Sequence, residues 1–204
     1  YISANARIPI SRATALLQHE VGTHVVTYFN GRAQPFRQLY SGLSGYEALQ
    51  EGIAVMAEYL AGGLSRPRLR LLAGRVMAVN RLIEGADFIE TFRDLTSDAG
   101  FDKSTAFGIT ARVFRGQGLT KDMIYLRGLR EVLAYIASGG ELEPLFVGKI
   151  AADHIPIVRE LQWRRVLRDM PLRPRYLDFP DTPRRLRHLR EGAGILDLIE
   201  RKAS

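Results

Sequence analysis

Apolar residues recur along this chain every three to four positions, and nowhere do they alternate with polar ones over a useful length. The pattern predicts a mainly α chain. Pro9 and Ser11 open a helix that runs through residues 19–24 to about Asn30, with Gly31 as its stop signal. A loop of about a dozen residues follows, marked by Asn30-Gly31, Pro35, Gly42 and Gly45. Ser44-Gly45-Tyr46-Glu47 reads as a capping box. The helix it opens carries Ile53, Met56, Ala57 and Leu60 on one side and ends at Gly62-Gly63. Ser65-Arg66-Pro67 starts another, ending near Gly85. Asp87 to Asp98 forms a short amphipathic helix with Phe88, Phe92 and Leu95 at i, i+4 and i+7. Lys103 to about Phe114 forms the next, ahead of the loop Arg115-Gly116-Gln117-Gly118. Thr120 caps a long helix that stops at Ser138-Gly139-Gly140. A short helix then reaches about Ile150, and His154-Ile155-Pro156 introduces one that ends before Pro171. Residues 171–183 hold four prolines and read as a linker or wrapped strap before a last basic helix. The expected division is a core domain over 1–170 and a strap with its basic helix over 171–204.

The bulk numbers narrow this only slightly. A hydrophobic share of 46% over 204 residues supports a real core. No apolar run reaches the ~18 residues of a membrane span, so the expectation is a cytoplasmic protein without membrane contact. There is no cysteine, so any metal must be held by His, Asp or Glu. The chain opens at Tyr1 rather than Met and reads as a fragment, with any sheet supplied by the part before it. The net charge is +7, and only four of the 29 basic residues are lysine. Arginine spread along most segments points to compositional preference. An acidic partner, whether peptide or nucleic acid, is the sharper alternative. The run Arg184-Arg185-Leu186-Arg187-His188-Leu189-Arg190 reads as a solvated helix face. No nucleic-acid-binding motif accompanies it, and no nucleic-acid partner is expected.

Chemistry concentrates in His19-Glu20-Val21-Gly22-Thr23-His24. Two imidazoles and an adjacent carboxylate supply two ligands and a general base, as a zinc hydrolase needs. The spacing is unusual. Residues at i, i+4 sit about 40° apart around an α-helix, whereas i, i+5 are about 140° apart. A one-residue bulge of π type brings the second pair back together, and such bulges favour functional sites. Gly22, between the histidines, lowers the cost of that distortion.

A third ligand is expected on a neighbouring helix. His154 and His188 are far downstream. Glu51, in Gln50-Glu51-Gly52-Ile53-Ala54, stands on the next helix beside Leu49, Ile53 and Ala54. Glu47 and Glu58 share its face, but Glu47 is assigned to the capping box and Glu58 lies two turns on. Glu51 is therefore the expected ligand, with Glu58 as the fallback.

H-E-V-G-T-H followed by Q-E-G-I-A resembles the bacterial proteins named for a QEGLA motif, of the same domain family as the vertebrate microtubule-associated tyrosine carboxypeptidases. The resemblance runs from about Asn5 to about Leu167. Further matching pieces are Asn30 with Gln34-Pro35, Arg112-Val113-Phe114-Arg115-Gly116, and Thr120-Lys121-Asp122 with Tyr125-Leu126. Ile53 stands where the signature has Leu. The resemblance implies a zincin-like helical core with an expanded HExxxH helix, in which His19, His24 and Glu51 bind Zn2+ and Glu20 is the catalytic base. It also implies that the family's N-terminal portion precedes this chain.

The function expected from this is a zinc metallopeptidase of carboxypeptidase type, acting on a peptide or protein C-terminus. Glu20 takes a proton from the attacking water and passes it to the leaving amine. Tyr125 is the candidate stabiliser of the oxyanion, or else a packed helix tyrosine. A free C-terminal carboxylate is gripped best by arginine, so Arg112 or Arg115, ahead of the Gly-Gln-Gly loop, is the candidate clamp, with Lys121 as a weaker one. Arg32 and Arg37 are placed to line the entrance. The alternative is a non-catalytic helical regulatory or binding module with a structural or vestigial metal. A structural zinc would want four protein ligands, and only three good ones are visible.

Overall fold

The computed structural model describes residues 8–116 and 121–199. In chain order its α-helices are α1 (Ile10–His19), α2 (Val26–Ala33), α3 (Gln38–Ser41), α4 (Tyr46–Leu60) and α5 (Arg66–Ile83). They continue as α6 (Phe88–Ser97), α7 (Lys103–Arg115), α8 (Ile124–Ala137), α9 (Ile155–Trp163) and α10 (Thr182–Arg190). The protein is mainly helical, and there is no strand among the described residues. No helix there is long and apolar enough to cross a membrane. The chain divides into two compact units, Tyr1–Leu64 with Arg127–Ser204, and Ser65–Leu126.

In the first unit α1 passes without a break into a π-helical segment, Glu20–Val25, and then into α2. This histidine helix does not stop at Gly31, which is buried inside α2. A Cβ there would collide with the Leu39 carbonyl, so the residue is glycine because α3 comes close, not because the helix ends. Asn30 is likewise a joint rather than a turn. Its amide nitrogen donates to the carbonyls of Phe146 (3.0 Å) and Leu172 (2.9 Å), and its oxygen accepts from Leu172 N–H (3.0 Å).

Helix α4 is the centre of this unit. Leu49, Ile53, Ala54, Val55, Met56, Ala57 and Leu60 are all buried. The expected capping box at its start is not formed. Gly45 is the N-cap, left-handed at φ +75°, and no side chain caps the helix. That turn separates Ser44 from the first helical N–H groups it would have to reach. Helix α8 crosses α4 at backbone contact: a Cβ on Gly52 would strike the Gly128 carbonyl group, and one on Gly128 would strike the Ala48 carbonyl. Helix α9 ends at Trp163, well short of Pro171, and Arg165 takes a left-handed φ of 57° in the turn that follows. The proline-rich segment then wraps this unit. Gln34 exchanges two hydrogen bonds with the Arg168 backbone, at 3.0 and 2.8 Å. Tyr176 is wholly buried, and Thr182 donates to its carbonyl at 2.6 Å.

The second unit is built on α5, α6 and α7. Its core is Ala78, Val79, Leu95, Ala106, Ile109 and Val113, with Phe92 and Phe101 packed against it. Each helix has a side-chain cap. Ser65 accepts from Arg68 N–H, Asp87 and Glu90 form a reciprocal box, and Asp102 accepts from Thr105 N–H. The expected cap Thr120 and the loop positions Gln117 and Gly118 lie outside the described residues.

Candidate metal centre

The histidine helix and α4 run antiparallel within the first unit, as their contacts show. His19 meets Glu58, both histidines meet Glu51, and Thr27 meets Gln50. The π segment settles the angular problem posed by the i, i+5 spacing. With one extra residue in the turn, His19 and His24 face the same side, their ring centroids 5.2 Å apart.

Glu51 Oε2 lies 3.6 Å from His19 Nε2 and 3.6 Å from His24 Nε2. That separation is too long for a hydrogen bond. Donors held about 2.0–2.2 Å from a shared tetrahedral ion lie roughly 3.3–3.6 Å apart. The oxygen is buried and has no hydrogen-bond partner among the described residues. A buried carboxylate oxygen left orphaned, equidistant from two imidazole nitrogens, is what a divalent cation would satisfy. The residues therefore fit a metal, and one potential ligand atom from each lies within 4.8 Å of the others.

Behind the triad is a second carboxylate. Glu58 Oε1 is 2.9 Å from His19 Nδ1, and its other oxygen accepts from Arg12 Nη1 at 2.8 Å. An ionised carboxylate can only accept, so Nδ1 carries a proton, and Nε2, which faces Glu51, is the nitrogen left for a cation to take in place of its proton. Burial, the strongest influence on His19, favours its neutral form; the adjacent carboxylates of Glu51 and Glu58 outweigh it and raise its pKa to about 9. Burial likewise opposes ionisation of Glu51, but His19 and His24 pull its pKa down to about 2. Without a cation the site is thus held as an ion pair.

Thr27 donates to Gln50 Oε1 at 2.8 Å, locking the helix pair beside Glu51. Gly22 does not have the unusual dihedrals expected of it, since its φ is not positive. A Cβ there would sit 2.6 Å from Gln18 Oε1 and 3.2 Å from the Tyr176 ring, so the Gln18 side chain and the strap together close on this point. Glu20, the first residue of the π segment, is exposed beside His19.

His154 and His188 take no part. The first accepts from Ala151 N–H and the second contacts the Asp197 carbonyl. Arg32 and Arg37 are exposed, on α2 and just before α3. Arg112, Arg115, Lys121 and Tyr125 all belong to the second unit. There Arg112 Nε donates to both oxygens of the buried Asp122 (2.8 and 2.9 Å), whereas Arg115 and Lys121 are exposed. Tyr125 is half-buried in the first turn of α8.

Sequence reasoning did not foresee the bracing role of Arg12 and Glu58. A signal existed: Arg12 precedes His19 by seven residues and Glu58 follows Glu51 by seven. Two turns on each of two antiparallel helices bring such pairs into register.

A sequence model described as microtubule-associated tyrosine carboxypeptidase matches residues 1–193. No curated protein matches the chain.

Proposed function

Because the chain belongs to the microtubule-associated tyrosine carboxypeptidase family, we propose that it is a zinc-dependent metallocarboxypeptidase that removes the last residue of a peptide or protein. The observation that carries this reading is the orphaned, buried Glu51 oxygen set 3.6 Å from both imidazole nitrogens. Three protein donors leave the coordination shell open, the catalytic rather than the structural pattern.

Zinc held by His19, His24 and Glu51 would polarise the scissile carbonyl and acidify a water. The protein's own groups do the rest. Glu58 orients the His19 ring, and Arg12 holds Glu58 in place through its second oxygen. Glu20, exposed and next in sequence to a ligand, takes the proton of the attacking water and returns it to the departing amine. Tyr125 is the proposed oxyanion partner and Arg112, Arg115 and Lys121 the proposed substrate contacts by family resemblance alone, all four lying in the second unit. These four roles rest on the family segments in which the residues lie. For Arg112, the bond to Asp122 would orient the planar guanidinium.

Zinc content and peptide turnover, measured together on the wild type and Glu20→Gln, test the proposal. The expected result is one bound zinc in both, with turnover reduced about 10²–10⁴-fold in the variant. Chelation should abolish turnover and added zinc restore it. A Glu20→Gln protein as active as the wild type, or a protein that binds no zinc, would instead make the chain a helical binding module.

A further inference from the structure

Lys149, in the first unit, has no anion partner among the described residues. The side chain of Lys149 is half-buried, and its ammonium has neither a carboxylate nor a hydrogen-bond partner among the described residues. It lies between two tyrosine rings, 5.6 Å from the centroid of Tyr28 and 5.6 Å from that of Tyr46. Tyr40 packs edge-on to Tyr28 from another side, at 5.9 Å.

The placement is built, not incidental. Lys149 N–H donates to the Leu39 carbonyl at 2.7 Å, and Leu43 N–H donates to the Lys149 carbonyl at 3.0 Å. Gly148 lets that backbone approach, since a Cβ there would lie 2.9 Å from the Leu39 Cβ. Gln50, beside Glu51, reaches the Gly148 carbonyl at 3.4 Å. Electrostatics leaves the spot short of negative charge. Ring faces offset an ammonium only weakly, by about 0.5–1 kcal/mol at exposed sites. Tyr46 opens α4, so the positive end of that helix dipole adds to the lysine instead of opposing it.

Each helix of the proposed metal pair supplies one of the rings beside this cation. Tyr28 follows His24 by four residues and Tyr46 precedes Glu51 by five, which corresponds to about 6 Å and about 7.5 Å of helix rise. A substrate's terminal carboxylate lies one residue, about 3.6 Å, beyond the scissile carbonyl, and a charge-assisted hydrogen bond adds about 2.8 Å. The reach of a single terminal residue is thus close to the axial offset of the two tyrosines from the proposed ligands on their own helices.

Resting on the peptidase reading above, we infer that Lys149, seated between Tyr28 and Tyr46, binds the free α-carboxylate of the substrate and so restricts cleavage to the last residue.

The test uses an N-acetylated hexapeptide ending in tyrosine, as the free acid and as the C-terminal amide. Binding is measured by calorimetry to zinc-loaded Glu20→Gln protein, in which turnover does not interfere. The free acid should bind at least about tenfold more tightly than the amide. Adding Lys149→Met should bring the two within about twofold, and Lys149→Arg should keep most of the preference. Circular dichroism checks that each variant is folded. Equal binding of acid and amide to the parent protein would overturn the inference, and so would a preference that survives Lys149→Met. A Lys149-dependent preference in a protein that hydrolyses neither peptide would support the carboxylate site while removing the peptidase reading.

Discussion

Glu58 would set the quality of the proposed metal site without itself being a ligand. It is 1% exposed and shared between Arg12 and His19. A carboxylate behind a ligating imidazole orients the ring and raises its basicity, and losing such a partner weakens metal binding about 10–100-fold. Glu58→Gln keeps the shape, removes the charge and leaves the Arg12 guanidinium facing a neutral amide. The expected result is zinc affinity lower by about that factor, read by competition with a chromophoric chelator. Glu51→Gln should cost more, because it removes a ligand and its charge together. Glu20→Gln should change the affinity by less than about threefold, since the proposed base is not a ligand. Equal affinities for wild type and Glu58→Gln would mean that the 2.9 Å contact to His19 does not orient the ring.

Helices in this protein meet where side chains are missing. At the crossing of α4 and α8, Gly52 and Gly128 place backbone on backbone, one residue from Glu51. Gly128→Ala gains up to ~1 kcal/mol of helix propensity but overfills a contact with no flexible neighbour, typically at a cost of about 1–3 kcal/mol or more. Net destabilisation and a weaker metal site are expected. Gly108 in α7 is the contrast, since a Cβ there meets nothing within 4 Å. Gly108→Ala should stabilise by about 0.5–1 kcal/mol. Urea midpoints of the two variants should therefore move in opposite directions, and movement in the same direction would refute the close-approach account. The same glycines mark how far the sequence could be read. Helical periodicity located nearly every helix, and the histidine spacing demanded the π segment that is found at Glu20–Val25. Glu51 was legible because it stands in the first turns of the next helix. By contrast, Gly22 and Gly31 looked like local flexibility and a stop signal. Their actual role also depends on Tyr176, beside Gln18, at Gly22 and on Leu39 at Gly31, which only packing brings near. Glu58 and Arg12 were opaque for the same reason, as was Lys149: their partners lie 39, 46 and 103 or more residues away in the chain.

At the scale of the molecule, the segment after residue 170 belongs with the unit that carries His19, His24 and Glu51. Leu172 completes the hydrogen bonds of Asn30, Tyr176 fills the space beside Gly22, and Arg185 donates to the Leu60 carbonyl at 3.0 Å. Leu189 and Leu198 are buried behind it. A merely appended strap would leave the first 170 residues folded, with their melting temperature almost unchanged. The packing predicts otherwise. Removing one fully buried aromatic costs about 3–5 kcal/mol. At about 2–4 °C per kcal/mol for a chain of this length, Tyr176→Ala should lower Tm by roughly 6–20 °C. Truncation after Met170 removes that ring, two buried leucines and both Leu172 partners of Asn30, so it should abolish the cooperative transition in differential scanning calorimetry. Zinc gives a second readout. Because the Tyr176 ring packs against the glycine between the two histidines, Tyr176→Ala should weaken zinc binding at temperatures where the variant is still folded. A truncated protein that melts like the full chain and binds zinc equally well would place the strap outside the unit that forms the metal centre.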